Sequence, residues 1–357
     1  LKGLILCAGK GSRLRPLTFS SPKHLLPLMN KPVLFYGIES LIQTGITEIA
    51  IVVSPNYRKK FDDELQSGKP WNINITLIEQ LEPRGMADAI RVAEHFIQHD
   101  DFLIFLGDNV IDGSLQPLID KFQTENLDGL VSVSYVESPE QFGVVQLEED
   151  KIIRVVEKPK YPLSHLAING VYLFRHSLFN AISKITPSAR GEYELTDAIQ
   201  QLIDDQYQLG VYRSPYWWKD TGNPNDLITC NRYFLQKMQG IDIKGSIDLN
   251  SMISTPVSIG VKSKIINSII RGPVIIGHNT IIENSYIGPF SSIADNVSIY
   301  NSELENSIIM KNTVVDNIPY RIDESIIGRE VKLMGSSKRP QNVQLWLGDY
   351  SHIIFPQ

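Results

Sequence analysis

The chain has 357 residues, 42% of them hydrophobic, enough to bury a large core in about two or three domains. Its formal net charge of -6 and pI of about 5.7 argue against a general nucleic-acid binder, while leaving room for a local basic pocket. Cys7 and Cys230 form neither a zinc-like nor a redox pair, and no leader or bilayer-length apolar run occurs, so the expectation is a cytoplasmic protein with no membrane partner.

Leu1 to Cys7 is an apolar run of the kind that lies inside a parallel sheet, and a glycine turn, Ala8-Gly9-Lys10-Gly11-Ser12-Arg13, follows at its carboxyl end. Open α/β sheets take ligands at that end. Gly9 and Gly11 let main-chain N–H groups approach phosphate oxygens, and Arg13, Arg15 and Lys23 add positive charge. Spacing excludes the dinucleotide fingerprint, which wants glycine at Leu14, and the P-loop, which wants Gly-Lys-Ser/Thr after four residues. An ordinary glycine-rich turn with surface cations is the competing reading.

Glu48 to Val53, Asn74 to Ile78 and Phe102 to Leu106 read as strands with amphipathic stretches between them, which implies a mainly parallel sheet covered by helices. After the second of these, Gln80 offers a donor and an acceptor that suit a pyrimidine edge, and Gly85 leaves main-chain atoms reachable at a helix start; a plain helix N-terminal loop explains both equally well. The third ends in Gly107-Asp108-Asn109, delivering a carboxylate to the same sheet edge as the glycine turn, where it can hold a hard cation or merely start a turn.

Past Leu130 the strands crowd together (Leu130 to Tyr135, Val144 to Leu147, Ile152 to Val156, Ile168 to Phe174) and read as an antiparallel, sugar-side subdomain. Glu157 and Lys158 stand side by side at a strand end; one accepts from sugar hydroxyls and the other neutralises a phosphate, unless they are a solvated charge pair. Trp217-Trp218-Lys219-Asp220-Thr221-Gly222 supplies a second carboxylate. Two carboxylates with substrate phosphates are a usual Mg2+ set. His24 and His278 tempt as general bases, yet no Ser-His-Asp arrangement is legible.

Around Gly240 the composition shifts to Ile, Val, Asn, Ser and Gly, and Asn250-Ser251, Asn267-Ser268, Asn284-Ser285 and Asn301-Ser302 recur every seventeen residues. Three aliphatic rows keep the same beat: Ile253, Ile270, Ile287 and Leu304; Ile259, Ile276 and Ile293; Ile265, Ile282 and Ile299. Three short strands per coil, each pointing an aliphatic inward, make a triangular parallel β-helix. The period weakens after Met310. The expected divisions are 1–238, a linker at 239–250, a β-helix over 251–340 and a closing cap or interface segment at 341–357.

Together Gly9-Lys-Gly-Ser-Arg13, Pro22-Lys23, Gly107-Asp108-Asn109, Phe142-Gly143-Val144, Glu157-Lys158-Pro159 and Lys219-Asp220-Thr221-Gly222 resemble the sugar-nucleotide pyrophosphorylases, in their long, thymidylyl-transferring form. The resemblance implies a Rossmann-like nucleotidyltransferase domain followed by a left-handed β-helix of hexapeptide type, and a homo-oligomer. It implies that Leu6, Ala8, Gly9, Gly11, Ser12, Arg13, Lys23, Gln80, Gly85 and Asp108 bind the nucleotide, dTTP, with Arg13, Lys23 and Asp108 catalytic. Asn109, Gly143, Glu157, Lys158, Asn169 and Val171 would line the pocket for glucose 1-phosphate, and Asp108 with Asp220 would hold Mg2+. The implied products are dTDP-glucose and pyrophosphate, by direct in-line displacement; UTP or another sugar 1-phosphate is the alternative. A non-catalytic sugar-nucleotide sensor, and an added acyl transfer at His278, are the competing classes. Two positions depart from the family pattern: Ala8 replaces the first signature glycine, and His24 replaces a glutamine.

Overall fold

A computed structural model describes residues 1–67, 71–335 and 348–354. The chain divides into two compact units: Leu1–Lys10, Ser21–Leu25 and Val33–Asp220 form the first, and Gly11–Ser20, Leu26–Pro32 and Thr221–Gln357 the second.

The first unit is built on a nine-stranded sheet. From one edge the order is Lys151–Glu157, Gly143–Glu148, Leu166–Phe174, Phe102–Leu106, Lys2–Cys7, Glu48–Val53 and Asn74–Glu79. Gly129–Tyr135 also pairs with Leu166–Phe174 and carries Leu209–Arg213 beside it. The four strands Phe102–Leu106, Lys2–Cys7, Glu48–Val53 and Asn74–Glu79 are parallel. Lys2–Cys7 is continuously apolar because both its faces are covered: Leu4 and Leu6 point into one core, Ile5 and Cys7 into the other. Helices Met86–Arg91, Ser177–Lys184 and Leu195–Asp204 cover the first face, and Val33–Ile42 and Gln116–Thr124 the second. The closely spaced strands are antiparallel as expected, but they form no separate subdomain. Leu166–Phe174 pairs with Phe102–Leu106 through Val171 to Phe174 and so welds them to the parallel part of the sheet.

The second unit is a parallel β-helix with three faces, consistent with the left-handed form. Two faces carry six strands and the third carries four. All three aliphatic rows are ladder partners: Ile253 with Ile270, Ile259 with Ile276, Ile265 with Ile282, and onward. They form one continuous core. The Asn-Ser period has two physical causes. Asn267, Asn284 and Asn301 turn corners with φ of 44°, 49° and 45°, a left-handed conformation that asparagine tolerates better than most residues, and their amides bond in a column at 2.7 and 3.2 Å. The serines form a second column, in which the N–H of Ser268, Ser285 and Ser302 each donates to the serine hydroxyl of the coil before.

The coils begin earlier than the sequence reading sets them. Ile241–Ile243 and Ser246–Ile247 pair with Val257–Ile259 and Lys264–Ile266, so the expected linker is the first coil. The period weakens after Met310 without the coil ending. Val315 pairs sixteen residues after Ile299, and Leu333 eighteen after Val315, as the side-chain bonds of the same coils also show. The helix Pro224–Gln236 belongs with this unit, not with the sheet. Asn231 explains why: its amide donates to Phe290 O, and its carbonyl accepts from the Ser292 hydroxyl and the Met29 N–H. Most of 341–357 lies outside the described residues.

Candidate functional site

At the carboxyl end of Lys2–Cys7, Gly9 lies against Lys23: a Cβ on the glycine would meet Lys23 Cε at 3.5 Å and Nζ at 3.8 Å. The Lys23 ammonium in turn is paired with the Asp108 carboxylate. Burial alone would raise the Asp108 carboxyl, but Lys23, by charge and by hydrogen bond, overrides it and holds the group down at about 2. Asp108 occupies the turn between Phe102–Leu106 and Asn109–Asp112. Asn109–Asp112 forms a two-stranded antiparallel ribbon with Trp217–Asp220, in which Asp220 is the ladder partner of Asn109. Of the two carboxylates singled out from sequence, 112 positions apart, Asp220 is thus paired with the residue that follows Asp108.

His24 is 1% exposed, packed under Gly107 and beside the Phe61 ring at 6.2 Å. Burial, then the Lys23 charge, pushes its imidazole down to about 3, so it is neutral and structural at physiological pH. Ala8 does not adopt a left-handed conformation, which is why alanine is tolerated there. Leu6 is buried in its strand and accepts from the Gly107 N–H at 3.0 Å. Gly11, Ser12 and Arg13 fall in the second unit. There Gly11 adopts φ 63°, and its carbonyl accepts from the Thr18 hydroxyl at 2.7 Å and from the Leu14 N–H at 3.1 Å; Arg13 is exposed on the short helix Ser12–Leu14.

Gln80 and Gly85 come together. The Gln80 amide nitrogen donates to Gly85 O at 3.1 Å and to Asp88 Oδ2 at 2.8 Å. With both donors engaged, Gln80 can present only its carbonyl oxygen to a base. Gly85 caps the helix Met86–Arg91 at φ 111°, and a Cβ there would sit 2.5 Å from Tyr193 O.

The residues assigned to the sugar phosphate form a second group. Lys151–Glu157 ends at Glu157, and Lys158 takes φ 43°, so strand parity no longer separates the pair: Lys158 Nζ is 3.6 Å from Glu157 Oε1. Burial raises the Glu157 carboxyl, with Glu194 adding to the shift and Lys158 and Arg190 opposing it. A Cβ on Gly143 would lie 3.2 Å from Glu157 Oε2 and 3.0 Å from Thr196 Cγ2. Asn109 donates to Asn169 O at 2.8 Å across Gly170, whose φ of 82° and missing side chain make room for that amide. Val171 is buried in the core, so only its main chain can face a ligand.

Four neighbours, Arg190, Glu194, Thr196 and Trp218, carry no role in the sequence analysis. Arg190 binds Glu194 at 2.8 Å and lies 3.5 Å from Glu157. Thr196 adjoins Gly143, and Trp218 packs edge-on against Phe142 at 5.2 Å. Thr196 Oγ1, Trp218 Nε1 and Asn169 Oδ1 are buried with no hydrogen-bond partner among the described residues. Buried polar atoms are normally satisfied, and a polyhydroxylated ligand would satisfy these. The tryptophan pair was legible as composition; what hid its role was the ribbon that carries it.

His278 is engaged structurally, its Nδ1 accepting from the Val261 N–H at 2.9 Å while its main-chain N–H donates to Asp295 Oδ1 at 2.8 Å. No helix among the described residues is long and apolar enough to cross a membrane.

The nucleotidyl transferase family profile matches residues 2–237. A glucose-1-phosphate thymidylyltransferase of Streptomyces antibioticus is 38% identical over 355 residues, covering 99% of both chains. A low-salt glycan biosynthesis nucleotidyltransferase, Agl11 of Haloferax volcanii, is 37% identical over 358 residues, again covering 99% of both. Among solved structures, one described as a glucose-1-phosphate thymidylyltransferase from Bacillus anthracis in complex with sucrose superposes with a TM-score of 0.62 at 32% identity. It covers 68% of this chain and 97% of its own.

Proposed function

The chain belongs to the nucleotidyl transferase family, and from that premise we propose that it transfers a thymidylyl group from dTTP to glucose 1-phosphate. An oxygen of the sugar phosphate attacks the α-phosphorus; the new P–O bond forms as the bond to the bridging oxygen breaks, and pyrophosphate leaves with that electron pair. The attacking monoester is already anionic near neutral pH, so no protein base is needed. That agrees with a neutral, packed His24 and with the structural bonding of His278.

The observation that carries the reading is the gathering of Gly9, Lys23 and Asp108, with Asp220 the ladder partner of the next residue, Asn109. In this reading Lys23 binds the triphosphate, and Glu157 and Lys158, an ion pair at 3.6 Å, bind the sugar hydroxyls and phosphate. The donor set fits Mg2+: two hard carboxylates, with phosphate and water left to complete an octahedron. No group of three or more metal-binding side chains occurs among the described residues, and such a site requires none. When bound, the ion would neutralise charge on the phosphates. A Gln80 that offers only a carbonyl suits the N3–H of thymine and rejects cytosine; uracil presents the same N–H, so UTP is the alternative donor.

The test is to incubate the protein with Mg2+, each nucleoside triphosphate and a panel of sugar 1-phosphates, and to identify the products. Formation of dTDP-glucose with pyrophosphate is expected. A protein that forms no sugar nucleotide from any pair overturns the proposal. Asp108→Asn should lower turnover about a hundredfold or more, the usual effect of removing one preorganised stabiliser.

A further inference from the structure

Residues 11–20 carry Gly11 and Arg13, yet they belong to the same compact unit as the β-helix. Two contacts show what holds them there. Leu17 reaches Gly328 on a late coil, its Cδ2 lying 3.6 Å from where a Cβ on that glycine would sit. The Arg15 guanidinium lies 5.0 Å from the centre of the Phe19 ring and 5.5 Å from that of Tyr350, and the two rings stand 6.0 Å apart. Phe19 and Tyr350 are 48% and 68% exposed, so hydrophobic burial does not account for their meeting. The cation between them does, since aromatic faces attract a guanidinium. Tyr350 comes from the C-terminal segment and Arg15 from the signature turn, three residues after Ser12.

We propose that Tyr350 is a positioning residue for nucleotide binding: by holding Arg15 it keeps the Gly11–Arg13 turn in its triphosphate-binding shape. The inference rests on the nucleotidyl transfer proposed above. It gives the C-terminal segment a task at the nucleotide turn, and it makes the last coils of the β-helix the seat against which that turn is set.

The experiment compares the full-length protein with Tyr350→Ala and Tyr350→Phe. Steady-state kinetics would be measured with dTTP and glucose 1-phosphate, and hydrogen exchange over residues 11–20 followed in parallel without substrate. Tyr350→Ala should raise KM for dTTP about two- to fivefold, the weight of one exposed cation–π contact, and leave kcat and the KM for glucose 1-phosphate unchanged. Exchange in the turn should quicken. Tyr350→Phe, which keeps the ring face, should restore both readouts. An unchanged KM for dTTP, an equal rise in both KM values, or a Tyr350→Phe variant as impaired as Tyr350→Ala would each overturn the proposal. A wild-type protein that turns over no substrate pair would defeat the nucleotidyl-transfer reading instead, and unaltered exchange at 11–20 in Tyr350→Ala would then defeat the clamp on its own.

Discussion

Replacing His24 with glutamine is expected to flatten the acid limb of the stability curve. In the folded protein the imidazole is buried beneath Gly107 beside the Lys23 charge, and its pKa falls from 6.5 to about 3. The unfolded chain therefore binds a proton that the folded chain refuses, and stability contributed by a neutral His24 is lost as pH falls below 6.5. The slope is about 1.4 kcal/mol per pH unit, so by pH 4.5 this single residue should cost the wild type on the order of 3 kcal/mol relative to neutral pH. Urea denaturation of both proteins between pH 7.5 and 4.5 reads the effect. Packing lost in the variant appears as a constant offset, whereas the titration appears only in the slope. Asp108 does not intrude: its depressed carboxyl contributes above the ordinary 3.8 and loses that contribution only as pH falls towards about 2. Parallel curves for the two proteins would show that the imidazole is hydrated or moves on protonation, and the assignment of His24 as a buried neutral residue would fail.

Gly85→Ala should destabilise the first unit by more than about 1 kcal/mol in the same denaturation assay, because φ is 111° and the new methyl would meet Tyr193 O; KM for dTTP should rise with it. Glu157 behaves oppositely to Asp108. Its raised carboxyl keeps its proton above the usual 4.5, so KM for glucose 1-phosphate should climb as pH drops towards that value, and Glu157→Gln should remove the step. The same sign gives a stability contribution present at low pH and lost as pH rises through the folded value. Ile287→Ala, in the sealed row of the β-helix, should cost 2 to 5 kcal/mol, roughly the range for emptying a buried aliphatic site, as read by thermal or urea unfolding.

The parallel strands and the three aliphatic rows were legible because their signals are local and repeated: an apolar run with both faces buried, and a beat of seventeen. The ribbon of Asn109–Asp112 and Trp217–Asp220 was not, since a short strand whose partner lies a hundred residues away leaves no periodic mark. The end of the coil period was misleading for a related reason. A coil of sixteen followed by one of eighteen restores the stacking while breaking the count. Gly85 was read as an opening for a ligand and Gln80 as both donor and acceptor, but the bonds to Asp88 and Gly85 O depend on a helix whose first turn cannot be placed from spacing alone. Arg190, Glu194 and Thr196 had no motif to announce them. They matter through what they face.

The paired columns of corner asparagines and serines have an evolutionary consequence. Each coil satisfies its neighbour's donors with the same two side chains, so a duplicated or deleted block of seventeen residues would leave every seam matched. A gain or loss of one residue inside a strand would instead turn an aliphatic outward, whereas at a corner it is absorbed, as the coils of sixteen and eighteen show. This half of the protein is thus free to lengthen or shorten by whole storeys, and relatives differing in length should differ there by multiples of a coil.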